Sequence, residues 1–329
     1  MRILAIDSGT TSSDVWVVEE GDVLTHERAF GGARDISGGR ERVWLSEMIR
    51  RLSDAAVEVI PGKWSGIDYA IAFGMITSEY GLLEVPRLRA PISIHEIAAA
   101  LCQISDPVLP VPLLMVPGIA VETGIDSAYA DFMRGEETEV AGLLASSDMH
   151  GPILFVSPGS HTKFIVVDSE NRIVWSLTTL SGEMLWAISQ ESIIAELVAT
   201  EIACPDPGAI ERGATVAREQ GINRALYVTR LIHQRERWSP SRCAAFAFGA
   251  IAGADLQALD AARDRGIDVP GHVIVGGGST VAPVYRQLLD AADWTDIVEI
   301  RPGPFGPIGA WALINENARV LDFDMGGRG

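Results

Sequence analysis

Ile3-Leu4-Ala5-Ile6-Asp7-Ser8-Gly9-Thr10-Thr11-Ser12 and Ile153-Leu154-Phe155-Val156-Ser157-Pro158-Gly159-Ser160-His161-Thr162 are two versions of one unit. Each apolar run is short enough for a strand and stops at a small, hydroxyl-rich glycine turn. A second strand follows each turn, Val15-Trp16-Val17-Val18 in the first copy and Phe164-Ile165-Val166-Val167 in the second. Further turns at Glu20-Gly21-Asp22 and Ser169-Glu170-Asn171 lead to third strands at Val23 and Ile173. Ile3 lies over Ile153, Gly9 over Gly159, Val15 over Ile165 and Val23 over Ile173 without a gap. Because the unit occurs in two copies, the internal repeat predicts two similar lobes and not a solenoid.

The copies differ where the first strand ends. Asp7 stands in one, and Ser157 with Pro158 and Gly159 in the other. A carboxylate in one turn fits a metal-associated site, and the neutral turn facing it fits a phosphate cradle. Asp and Ser are also ordinary turn residues, so either turn alone says little. A third glycine turn, Gly276-Gly277-Gly278-Ser279-Thr280, follows Val273-Ile274-Val275 and precedes a helix expected over 281–291. Such a turn lets a ligand approach backbone amides with no side chain in the way.

Between these landmarks the spacing predicts helices over 44–59, 94–101, 184–200 and 242–259, a strand over 67–73, an extended run over 107–117 and a closing helix beginning near Gly309. Strands and helices alternate, an α/β pattern. The helix over 242–259 is dense in alanine and glycine, which reads as close packing. Just before the second copy, Arg134-Gly135-Glu136-Glu137-Thr138 opens another helical run, Val140 to Leu144. Acidic residues are common in a first helical turn, yet a base placed there is held rigidly.

The 329 residues allow about two domains, divided here as 1–150 and 151–329 with a C-terminal helix near 306–318 returning to the first. A net charge of −18 excludes general binding to nucleic acid or anionic membrane. Cys102, Cys204 and Cys243 form no C-x-x-C pair, which suits a reducing compartment. Met1-Arg2-Ile3-Leu4 runs into a strand without a signal-peptide core, so a cytoplasmic protein is expected. P-loop and G-x-S-x-G motifs are absent, His95-Glu96 lacks the second histidine of a zincin, and the third turn does not match G-x-G-x-x-G.

Three glycine turns in this order resemble the phosphate-one, phosphate-two and adenosine elements of the sugar kinase, actin and heat-shock chaperone superfamily. More narrowly, Phe73-Gly74-Met75-Ile76, Val116-Pro117-Gly118, Met133-Arg134-Gly135-Glu136-Glu137-Thr138, Pro158-Gly159-Ser160-His161-Thr162-Lys163 and Gly182-Glu183 resemble the 2-dehydro-3-deoxygalactonokinase family. The resemblance implies two lobes of ribonuclease-H-like, actin-like ATPase fold with a nucleotide cleft between them. It also implies transfer of the ATP γ-phosphoryl group to the 6-hydroxyl of a 2-keto-3-deoxy sugar acid, with Mg²⁺. On this reading Asp7 orients the metal, Gly9, Thr10 and Thr11 face the phosphates from one lobe, and Gly159, Ser160, Thr162 and Lys163 do so from the other. Gly276, Gly277, Gly278 and Ser279 hold the adenosine side. Glu136, with Glu137 as the alternative, is the general base.

Arg134 is a carboxylate partner for the substrate or a brace for the helix start, His161 is a further substrate contact, and Lys163 is equally a strand-edge lysine. The pattern departs from the family at Ser8, Asp14 and Gly81-Leu82; at Asp14 an arginine is expected, which leaves the exact acceptor open. Another sugar or sugar acid as acceptor, or a regulatory ATP-binding member of the superfamily, remains the alternative. A homodimer is compatible with all of these.

Overall fold

The structure, a computed structural model, describes residues 1–104, 108–122, 127–146, 149–199, 206–277 and 281–326. Two six-stranded sheets organise it. The first runs, in spatial order, Asp22–Phe30, Ser12–Glu19, Arg2–Ser8, Tyr69–Gly74, Leu113–Met115 and Cys102–Gln103. The second runs Arg172–Thr179, Thr162–Val167, Ile153–Ser157, His272–Gly276 and Ile297–Arg301, with Ile92–Ser93 added beside Arg172–Thr179. In each, an antiparallel meander is followed by a strand parallel to the first, Tyr69–Gly74 beside Arg2–Ser8 and His272–Gly276 beside Ile153–Ser157. The repeat in sequence is thus a repeat of topology.

The central strands are apolar almost throughout because both faces are covered. Ile3, Ala5, Ile71 and Phe73 point to the core shared with the second lobe, whereas Leu4, Ile6, Ala70 and Ala72 point to a separate cluster under the helix Arg42–Glu58. Alternation with period two therefore sorts one strand between two cores.

The lobes are joined by two helices. The acid helix Glu136–Ser146 leaves the small sheet formed by Asp131–Met133, Ile119–Val121 and Leu88–Arg89. The closing helix Phe305–Gly326 packs along the acid helix and also reaches the first sheet. Their backbones touch: a Cβ on Gly142 would lie 1.9 Å from the carbonyl oxygen of Phe305, and one on Gly309 would lie 1.8 Å from that of Thr138. Chain from the first half also enters the second sheet, since Ile92 and Ser93 pair with Ile173 and Arg172.

Several expected elements differ in extent. Over 184–200 the chain forms Ser181–Glu191 and a short helix Ala195–Val198, with Ser192 between them in an extended conformation. Within 107–117 the described strand is Leu113–Met115 alone. The small-residue helix is longer, Pro240–Asp264, and its glycines meet Pro207–Gln220 backbone to backbone, a Cβ on Gly249 standing 2.2 Å from Ile210 O.

Candidate active site

The two duplicated turns face one another across a cleft of about 500 Å³. Gly9, Thr10 and Thr11 line one wall; Pro158, Gly159, Ser160 and His161 line the other. Each turn rests on a second glycine that only a missing side chain permits. A Cβ on Gly32 would be 2.2 Å from Gly9 O, and a Cβ on Gly182 would be 2.0 Å from Gly159 O. The chain beyond each of these glycines bonds the turn, Arg34 N to Thr10 O at 3.0 Å and Glu183 N to Ser160 O at 2.8 Å.

The floor of the cleft is acidic. Asp7 ends the strand Arg2–Ser8, and its carboxylate fits because residue 74 is glycine with φ 84, where a Cβ would be 2.6 Å from Oδ1. Gly135, with φ 112, packs against Gly74 and turns the chain into the acid helix. Helical spacing then decides the fate of three glutamates. Glu136 and Glu139, three residues apart, both line the cleft. Glu137 lies between them, is fully buried, and accepts the Gly135 N–H with both oxygens at 2.8 and 2.9 Å. Glu137 braces the helix start and does not line the cleft, so of the two candidate bases Glu136 alone reaches it.

Burial dominates the titration of the carboxyls around it. It pushes Asp7 well above the ordinary range, reinforced by the charges of Glu139, Asp14, Glu136 and Glu137. Glu139 is raised to about 7, by burial first, against a hydrogen bond donated by Ser157 Oγ at 2.7 Å. Glu137 is raised to about 8 by burial and by Glu136.

Lys163 does not point to the phosphate turns. Its ammonium is buried, donates to Phe132 O at 2.7 Å and Thr178 Oγ1 at 2.6 Å, and lies 4.0 Å from both Asp131 and Glu136. Arg134 also departs from the carboxylate role expected for it. Its two terminal nitrogens donate to Thr77 Oγ1 and Val85 O, each at 2.8 Å, and brace the segment behind the cleft. Thr162 likewise turns away from the cleft, its hydroxyl sharing a hydrogen bond with Tyr285 at 2.9 Å. His161 lies 3.7 Å from Glu183, which also pairs with Arg34 of the other lobe.

A second, apolar cavity of about 230 Å³ lies behind the second turn, lined by Gly159, Leu185, Phe248, Ile251, Val281 and Tyr285 among others. Beneath it Asp255 accepts hydrogen bonds from Tyr285 and, at 2.6 Å, from Ser181. Gly276 ends the strand His272–Gly276 with its Cα against Phe155, and Gly277 turns with φ 83. Gly278 and Ser279 lie outside the described residues. Sequence reading missed Glu139, Asp131, Arg87 and this buried network. The i, i+3 spacing from Glu136 could have found Glu139; the other contacts bring together residues far apart in the chain.

Two sheets of one topology, glycine turns facing across a cleft and an acid helix between them give a two-lobed α/β protein of actin-like ATPase fold. The fold is shared with the activator of 2-hydroxyisocaproyl-CoA dehydratase from Clostridium difficile, solved with ADPNP bound, at 13% identity over 98% of each chain and a TM-score of 0.53. More similar is the structure of a candidate 2-dehydro-3-deoxygalactonokinase from Sinorhizobium meliloti, with 22% identity, 97% of this chain and 99% of that chain covered, and a TM-score of 0.72. No curated protein matches the sequence. The chain belongs to the 2-keto-3-deoxy-galactonokinase family, whose profile matches residues 7–300. It is accordingly a kinase, a phosphotransferase with an alcohol group as acceptor, acting on a small sugar-type molecule. Among the described residues no helix is long and apolar enough to cross a membrane.

Proposed function

We propose that this chain transfers the γ-phosphoryl group of ATP to the 6-hydroxyl of 2-dehydro-3-deoxy-D-galactonate or a closely related 2-keto-3-deoxy sugar acid, with Glu136 as general base. The observation that carries the reading is the position of Glu136, on the cleft face of the acid helix between two turns rich in backbone and hydroxyl donors.

Phosphoryl transfer asks a protein for alignment and charge neutralisation more than for covalent chemistry. In this reading Gly9, Thr10 and Thr11 meet the phosphates from one side, and Gly159 and Ser160 from the other. The apolar cavity behind Gly159 takes the nucleoside. Its walls are hydrophobic, as a purine face requires, and Gly276 and Gly277, at the end of the strand His272–Gly276, are assigned to the adenosine side. Glu136 accepts the proton of the attacking hydroxyl, while Lys163 and the Arg134 N–H at 3.2 Å keep its carboxylate in place.

The donor set suits Mg²⁺. Asp7 and Glu139 present carboxylate oxygens at the cleft floor, and Thr10, Thr11 and Ser157 add hydroxyls. Mg²⁺ takes few carboxylates and keeps waters and phosphate oxygens as its other ligands. Burial first, and neighbouring carboxylates second, push both acids toward protonation, and a divalent cation would favour their charged forms. Bound there, the metal would neutralise charge on the phosphates.

The test is Glu136→Gln. Turnover of the sugar acid should fall by about 10²–10⁴-fold, with KM for ATP little changed. Full turnover in this variant would sink the assignment of the base. Absence of acceptor-dependent ADP release from the wild type, across sugar acids and simple sugars, would sink the substrate reading and favour a regulatory ATP-binding role.

A further inference from the structure

An anionic substrate entering this cleft meets Asp7, Asp131, Glu136 and Glu139, in a chain of net charge −18. It needs a cation of its own, and nearly every positive group lining the cleft is already engaged. Arg134 donates to Thr77 and Val85, and Lys163 to Phe132 O and Thr178. Arg28 lies 3.5 Å from Asp14 and donates to Ser12. His161 faces Glu183.

Arg87 is different. It is exposed, lines the same cleft, and has an aromatic partner, its guanidinium 4.6 Å from the centroid of the Phe132 ring. No carboxylate is paired with it among the described residues. Phe132 is itself 58% exposed, so its ring face is open at the cleft. A guanidinium over an aromatic face is attracted to it through the ring quadrupole and still has N–H donors to offer a planar anion. Phe132 stands on the small sheet that feeds Gly135 into the acid helix, and Arg87 immediately precedes that sheet's strand Leu88–Arg89, so the pair is attached to the element that presents Glu136. Arg134 is lowered by burial first and by the like charge of Arg87 second, against Glu137, Glu79 and Glu84, which raise it, so the two arginines share this corner of the cleft.

We infer that Arg87, held over the Phe132 ring, binds the carboxylate of the sugar-acid substrate and so selects acids over neutral sugars. The inference rests on the sugar-acid kinase reading above and assigns the cation that reading requires. It makes Arg87 a specificity residue and not part of the proton or phosphoryl transfer.

The experiment compares wild type, Arg87→Met, Arg87→Lys and the control Arg89→Gln, whose parent arginine pairs with Glu122 on the surface at 3.1 Å. Each protein is titrated calorimetrically with 2-dehydro-3-deoxygalactonate and with its carboxamide, and the kinetics are measured for both. Removing a charged hydrogen-bonding pair costs about 10- to 100-fold in affinity. Arg87→Met should therefore raise KM and Kd for the acid by that factor, with kcat at saturation and KM for ATP nearly unchanged. Affinity for the carboxamide should stay the same. Arg87→Lys should fall between, and Arg89→Gln should match wild type.

Equal losses for acid and carboxamide in Arg87→Met, or no loss for the acid, would overturn the inference, as would a wild type that binds both equally. Failure of the kinase reading shows up separately, as binding of the acid by wild type without ADP release.

Discussion

Three glutamates within four positions have three different environments, and the helix makes the difference. Glu136 and Glu139 share the cleft face; Glu137 is rotated off it, buried, and accepts the N–H of Gly135. Glu139 accepts from Ser157 and borders the space assigned to Mg²⁺. Glu139→Gln keeps an acceptor for Ser157 but removes a charge. The Mg²⁺ concentration for half-maximal turnover is expected to rise about 10- to 100-fold, as read from a metal titration of ADP release. Unchanged metal dependence would remove Glu139 from that role. EDTA should abolish turnover, read as loss of acceptor-dependent ADP release, and added Mg²⁺ should restore it.

At the scale of elements, the crossing of the acid and closing helices depends on two glycines. Gly142→Ala places a methyl where Phe305 O now stands, 1.9 Å away, and neither backbone can yield without parting the helices. A loss of about 1–3 kcal/mol or more is expected in denaturant unfolding. Gly208→Ala, where the nearest atom is 3.5 Å from the added methyl, should instead stabilise by up to ~1 kcal/mol.

The buried network behind the second turn gives a pH signature. Asp255 is pushed above its ordinary 3.8 by burial, against hydrogen bonds from Ser181, Tyr285 and Thr179 that lower it. The folded chain therefore holds a proton that the unfolded chain releases, and stability falls as pH rises from about 4 through the raised folded value. Asp255→Asn removes that contribution. Melting curves from pH 4 to 7 should show the variant gaining on the wild type as pH rises; parallel curves would contradict it.

For the whole molecule, the contact of interest joins the lobes across the mouth of the cleft. Arg34 follows the first turn's supporting glycine, Glu183 follows the second's, and the two side chains pair, with Arg34 also 5.6 Å from the Trp186 ring centroid. Both side chains are partly exposed, so Arg34→Ala should cost no more than about 1 kcal/mol of stability. Its effect is expected in shape instead: small-angle scattering of the nucleotide-free variant should show a larger radius of gyration than wild type. An unchanged radius would mean that the helix crossing at Gly142 and Gly309 alone sets the closure.

What the sequence determined by itself was the duplication. Two strand-turn-strand units with aligned apolar positions require two similar sheets, because side-chain alternation and glycine turns are local properties. The acid helix and its position before the second turn were legible for the same reason. The helices Pro207–Gln220 and Ile222–Glu236, the small sheet carrying Phe132, and the entry of Ile92–Ser93 into the second sheet were not. Nor could one chain of letters say that Arg134 and Lys163 would be engaged by Val85 and Thr178, or that Arg87 would stand over Phe132 with no carboxylate paired to it among the described residues. Those outcomes depend on which distant groups arrive within hydrogen-bond reach of a charge, and that is decided by packing. The opening stretch, Ile3 to Ser12, fixed the architecture; only the folded cleft decided which carboxylates and which arginines line it.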